Sequence, residues 1–249
     1  MFDKSKEQFE LFLKNYDMTI PNAKKKYNHT FEVVKLMDLL ARRLGLNNEQ
    51  IELAKVIGLL HDLGRFEELK VRDGKFDDCN FDHANWATIY LFEIGHIRDF
   101  IKDNKYDSII KCAIYNHNKL TIERNLSKEE LLFSKMLKDA DKIDIFRVMA
   151  LNSKNIFSTE VNPSALEDFK NKKLIKNTDI KYPSDNTLKI LAFLFDINFE
   201  ESFDILMETD NFDLFVGCVE VASDSEKLWQ KVREICYLKI QDGIKERNI

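Results

Sequence analysis

The chain has 249 residues, of which 44% are hydrophobic and 33% charged, with a formal net charge of -5. That balance describes a globular chain and lacks the basic excess that a protein of long nucleic acid needs. Seven glycines and three prolines are too few for a turn-rich sandwich or barrel, so an all-α fold of long helices is expected. The longest apolar runs, residues 56–60 and 190–195, fall far short of the roughly 20 residues of a membrane span. Residues 1–7 have no apolar signal core. The cysteines Cys79, Cys112, Cys218 and Cys236 form no Cys-x-x-Cys pair and read as free thiols in a reducing compartment. A cytoplasmic protein with no membrane partner is therefore expected.

In chain order, Val33, Val34, Leu36, Met37, Leu40 and Leu44 follow helical spacing across residues 22–44, and Gly45 marks a stop. The run Lys24-Lys25-Lys26 reads as the solvated face of this helix. Asn48 is placed to cap a second helix carrying Ile51, Leu53, Ala54, Val56, Ile57, Leu59 and Leu60. That helix should stop near Gly64, before a polar loop with Asp73-Gly74 and Asp77-Asp78 as turn signals. A third helix is expected from His83 through Phe92, broken at Gly95, with shorter ones over residues 97–102 and 106–115. Ser127 and Glu130 form a capping box opening a helix that runs through Asp141. Beyond Ala150, residues 152–163 read as a loop. Residues 187–196, 199–207, 212–221 and 226–240 read as packing helices whose aromatic side chains are core. The expected organisation is a helical domain over residues 1–150 and a helical extension over residues 151–249. The extension would complete or lid the first domain, or serve as a homo-oligomer contact.

The sharpest feature is His61-Asp62, directly behind the apolar stretch 57–60. Burying a carboxylate and an imidazole there is costly without compensation, and a bound cation would compensate well. The chain has five histidines, and four of them join a set of candidate ligands: His29, His61, Asp62, His83, His117 and Asp141. Each sits on or at the end of an expected helix, and such sites are assembled between helices. Imidazole with carboxylate suits Mn, Fe, Zn, Ni or Co, and Asp62 has two oxygens with which to bridge two ions. His96 lies outside this set and reads as structural.

The ordered contexts His29, His61-Asp62-Leu63-Gly64-Arg65-Phe66, Phe81-Asp82-His83-Ala84, Asn116-His117-Asn118 and Asp139-Ala140-Asp141-Lys142-Ile143-Asp144 resemble the HD-domain superfamily of metal-dependent phosphohydrolases. The resemblance covers about residues 22–148. The histidines at 83 and 117 make it similar to the binuclear branch, and no Gly-Tyr-Pro follows as in the cyclic-dinucleotide branch. The resemblance implies His29, His61, Asp62 and Asp141 on one metal, with Asp62, His83 and His117 on a second. One or two divalent transition-metal ions are the implied cofactors. It also implies hydrolysis of a small phosphorylated substrate, a nucleotide or related metabolite, by a metal-activated hydroxide.

In that reading Asp62 and Arg65 are catalytic. Arg65, with Lys119 and Lys142 behind it, is the candidate for binding phosphate, and Asp144 could orient a ligand. The bland alternatives are that Arg65 pairs with Glu67 or Glu68 and that both lysines are solvated. Two rival functions share the ligand set: a di-iron oxygenase of the same fold and a non-catalytic regulatory module.

Overall fold

The computed structural model describes residues 1–76, 80–152 and 154–245, and the expected turn at Asp77-Asp78, like Cys79, lies outside them. The described chain is helical apart from two short strands. It divides into two compact units, Met1–Asp141 and Lys142–Ile249.

The first unit starts with α1 (Phe2–Leu13), α2 (Pro21–Arg43) and α3 (Asn48–Leu60). Pro21 opens α2, a position where its missing N–H costs nothing. Gly45 closes α2 with φ +68°, as its sequence position requires. The cap of α3 is Asn47, one residue earlier than expected. Its side chain accepts from the Gln50 N–H while Gln50 returns the bond, a reciprocal box. The apolar faces of α2 and α3 then pack together, with Val33, Met37, Leu40, Leu53, Val56 and Ile57 at most 1% exposed. Gly58 permits this approach, since a Cβ there would stand 3.2 Å from Val34 Cα. An aromatic cluster of Phe9, Phe12, Tyr27, Phe31 and Phe66 closes one side.

The region after His61-Asp62 differs from the expected loop. The chain turns for two residues and immediately enters α4 (Leu63–Val71). Phe66 and Leu69 supply apolar burial that repays another helix. Asp73 and Gly74 then make the expected turn, both at positive φ.

Next come α5 (His83–Thr88), a π-helical turn at Ile89–Glu93, α6 (Ile97–Phe100) and α7 (Asp107–Asn116). Gly95 breaks the run at φ +99°. The long α8 (Lys128–Asn152) begins at the expected capping box, with Ser127 N–H donating to Glu130 at 2.7 Å and Glu130 N–H to Ser127 Oγ at 3.2 Å. The division between the units falls inside α8.

The second unit holds α9 (Pro163–Lys170), α10 (Pro183–Ala192), α11 (Glu200–Glu208), α12 (Asn211–Gly217) and α13 (Glu226–Lys245). Strand β1 (Ile156–Phe157) runs parallel to β2 (Glu220–Val221), two-residue pairs in stretches that read as loop and as the end of a helix. Such short strands carry no periodic signal. The core is aromatic, as expected: Phe146 packs edge-on to Phe212 and Phe215, and Phe157 meets Trp229. Among the described residues, no helix is long and apolar enough to cross a membrane.

Candidate metal centre

Helix ends deliver most of the polar side chains. His61 is the C-cap of α3 and His117 the C-cap of α7, where the last carbonyls have no helical partner. Each imidazole uses this: Nδ1 of His61 donates to Gly58 O at 2.7 Å, and Nδ1 of His117 to Ile114 O at 2.6 Å. A carbonyl only accepts, so the proton is on Nδ1 and the lone pair is on Nε2, facing inward. His29 comes from the middle of α2, His83 from the first position of α5, and Asp141 from α8. Asp62 lies in the turn between α3 and α4.

All six residues meet in the first unit. His29, His61 and Asp141 form one group and Asp62, His83 and His117 a second. Within each, one ligand atom per residue lies within 4.8 Å of the others. His29 Nε2 is 3.0 Å from Asp141 Oδ1, and His83 Nε2 is 3.1 Å from His117 Nε2. Asp62 stands between the groups. Its Oδ2 faces His61 Nε2 at 3.4 Å and His29 Nε2 at 3.6 Å. Its Oδ1 faces His83 Nε2 at 3.5 Å and His117 Nε2 at 3.8 Å. Ligands held about 2.1 Å from one ion stand roughly 3–4 Å apart, so this spacing suits a metal.

Burial sharpens the electrostatics. His29 and His61 are 0% exposed and Asp62 2%. Burial alone would raise the Asp62 pKa, but the Lys26 ammonium beside it holds the carboxyl well below its ordinary range. Burial acts the same way on Asp141, where the hydrogen bond and charge of His29 win and lower the carboxyl. His83 is pushed well down by burial and then by the Arg65 charge, and His117 is lowered chiefly by burial. Both carboxyls are therefore ionised and both of these imidazoles neutral near pH 7, the protonation a metal requires. His61 Nε2 tests the fit most directly, because it is fully buried and has no hydrogen-bond partner. An orphaned buried acceptor is costly, and a cation would satisfy it.

The other candidate residues are distributed unevenly. Arg65 reaches the centre, with Nε 4.0 Å from Asp62 Oδ1, and its NH1 donates to Glu68 at 2.8 Å. Glu68 is 0% exposed and so anchors the guanidinium from behind. Lys119 pairs with Asp82 and lies 4.9 Å over the Tyr115 ring. Lys142, in the second unit, pairs with Asp196 at 2.8 Å. Asp144 is chelated by Arg147 at 2.6 and 2.8 Å. His96 pairs with Asp99 and stacks on Tyr90.

Lys26 was expected on a solvated face, but its Nζ lies 2.7 Å from Asp62 Oδ2. The signal was available, since Lys26 precedes His29 by three residues and so shares its helical face. It was masked by Lys24 and Lys25, which do face outward to differing degrees.

No curated protein and no solved structure matched the chain. The family model of the HD domain matched residues 27–145, a segment that runs from just before His29 to just past Asp141 and so spans all six clustered residues. HD domains bind divalent metals and are mostly metal-dependent phosphohydrolases, so hydrolase-like chemistry is indicated at this level. Residues 27–145, just under half of the chain, thus match the HD-domain family.

Proposed function

We propose that this protein is a metal-dependent phosphohydrolase that cleaves a phosphate ester of a small metabolite, with nucleotides as the favoured class. The observation that carries this reading is the Asp62 carboxylate, whose two oxygens each face a different pair of imidazole nitrogens. In the proposal His29, His61, Asp62 and Asp141 hold one divalent ion, and Asp62, His83 and His117 hold the other. Such a pair, when bound, supplies Lewis acidity toward phosphate and water of lowered pKa.

The chain's own residues do the rest. Gly58 O and Ile114 O fix the two imidazoles in the ligating tautomer. Arg65 offers a fork of donors to phosphate oxygens, and Glu68 holds its orientation so that less is lost on binding. The near-complete burial of His29, His61 and Asp62 excludes bulk water and strengthens each charge interaction.

The test is a panel of nucleoside phosphates, sugar phosphates and phosphodiesters, each assayed with protein reloaded with Mn²⁺, Fe²⁺, Zn²⁺, Ni²⁺ or Co²⁺. Metal-dependent release of phosphate or cleavage of a diester supports the proposal. Iron-replete protein that consumes O₂ and cleaves no ester would replace hydrolysis by oxidation with the same ligand set. Metal-replete protein inert toward both would leave a binding module.

A further inference from the structure

The Lys26 ammonium is seated against the carboxylate that stands between the two groups of candidate ligands. Its Nζ is 2.7 Å from Asp62 Oδ2, the oxygen that also faces His29 and His61. The Lys26 side chain is 18% exposed and that of Asp62 3%, so the lysine arrives from the more open side on a flexible four-carbon stem. A buried carboxylate needs a positive partner, and here Lys26 supplies it. A divalent ion held by His29, His61 and Asp141 would take the same oxygen, and two cations at one oxygen repel. Lys26 is therefore a built-in competitor for the metal.

Its surroundings say where the ammonium goes when it is displaced. Lys26 Nζ lies 5.7 Å over the Phe76 ring and the Arg65 guanidinium carbon 5.3 Å over the same ring, which is 38% exposed. Lys26 thus approaches one oxygen of Asp62 and Arg65 the other, and both rest on one aromatic ring. Once metal is bound, the Lys26 ammonium at this edge is displaced from its carboxylate, beside an Arg65 guanidinium anchored by Glu68, and the edge suits an anion. Resting on the phosphohydrolase reading above, we propose that Lys26 occupies the cation position at Asp62 Oδ2 in the metal-free protein and transfers to a phosphate oxygen when metal binds. Metal and phosphate then assist each other's binding through one side chain. Lys26 is a positioning and substrate-binding residue in this scheme.

The experiment measures the Mn²⁺ dissociation constant by calorimetry, with and without inorganic phosphate, for the wild type, Lys26→Met and Lys26→Arg. Without phosphate, Lys26→Met should bind Mn²⁺ about tenfold more tightly, since its competitor is gone. Phosphate should tighten Mn²⁺ binding by about tenfold in the wild type and by much less in Lys26→Met, because coupling is reciprocal and runs through the missing ammonium. Lys26→Arg keeps the charge and a partner for Asp62, and should retain the phosphate effect. Lys26→Met with an unchanged Mn²⁺ constant and an unchanged phosphate effect would overturn the proposal, as would Lys26→Arg behaving like Lys26→Met. Wild type that binds Mn²⁺ and cleaves esters but gains nothing from phosphate would overturn it while leaving the phosphohydrolase reading intact. Wild type that binds no divalent ion would remove both.

Discussion

Two buried aspartates, one in each unit, carry opposite lessons. Asp185 is 0% exposed and Asp62 2%. Asp185 accepts from backbone: Asn162 N–H at 2.7 Å, and Lys181 and Tyr182 N–H each at 2.9 Å. Two of those donors lie in the turn entering α10 and the third is on the residue that caps α9, so all three are held by the backbone. Asp62 is instead surrounded by side chains, four of them imidazoles, one a guanidinium and one a flexible ammonium. A carboxylate saturated by the backbone is a structural element. One surrounded by exchangeable side chains can trade them for a ligand.

The largest effect should fall on activity at Asp62. Asp62→Ala is expected to lose bound metal and to lower kcat/KM by at least about 10³-fold, roughly 4 kcal/mol of transition-state stabilisation. Metal-free stability should fall by less than about 2 kcal/mol in a urea titration, because Lys26 can extend to solvent. Asp185→Ala should do the reverse. It strands three backbone donors and should cost about 3–4 kcal/mol of stability by the same titration, with metal content per folded chain unchanged. Equal stability losses in the two variants would erase the contrast.

Gly64 offers a sharper cut within the centre. A Cβ at this position would collide with the backbone carbonyl of His83, so α4 and α5 approach only because the residue is glycine. Gly64→Ala is expected to cost about 1–3 kcal/mol through this overpacking. Because the displaced atom belongs to His83, its metal stoichiometry by elemental analysis should fall too. A stable variant with full metal content would show that His83 is not positioned by this contact.

The smallest effect lies far from the centre. Glu52 is partly buried, which raises its pKa, but the Lys55 ammonium and the Phe2 N–H outweigh this and lower it to about 2. A depressed carboxylate stabilises the fold above its unfolded pKa, and that contribution fades as pH falls from about 4.5 toward 2. The side chain is 33% exposed and screened by water, so Glu52→Gln should cost less than about 1 kcal/mol at pH 7. The difference from wild type should vanish near pH 2. A difference that grew on acidification would reverse the sign of this account.

The legibility of the sequence followed the same divide between side chain and backbone. His29, His61, Asp62, His83, His117 and Asp141 could be picked out because few residue types hold metals and only five histidines compete for notice. Their meeting in one place is the part that needs the fold. The capping box at Ser127 and the stop at Gly45 were legible because each is a local rule satisfied within a few residues. Helix α4 was missed because its polar residues Arg65, Glu67, Glu68 and Lys70 read as a loop, while its identity depends on where Phe66 and Leu69 are buried. The β1–β2 pairing joins residues 64 positions apart, as at Ile156 and Glu220, and no local pattern announces it. Lys26 was obscured by sequence neighbours of the same type, although helical geometry separates them.

The central proposal is that six side chains, from α2, the α3–α4 junction, α5, the end of α7 and α8, would enclose two cation positions sharing one carboxylate. The most direct measurement is elemental analysis of the folded protein after reloading with Mn²⁺ and removal of free ion. The account predicts two ions per chain, retained through desalting. A chain that retains none while remaining folded would contradict it.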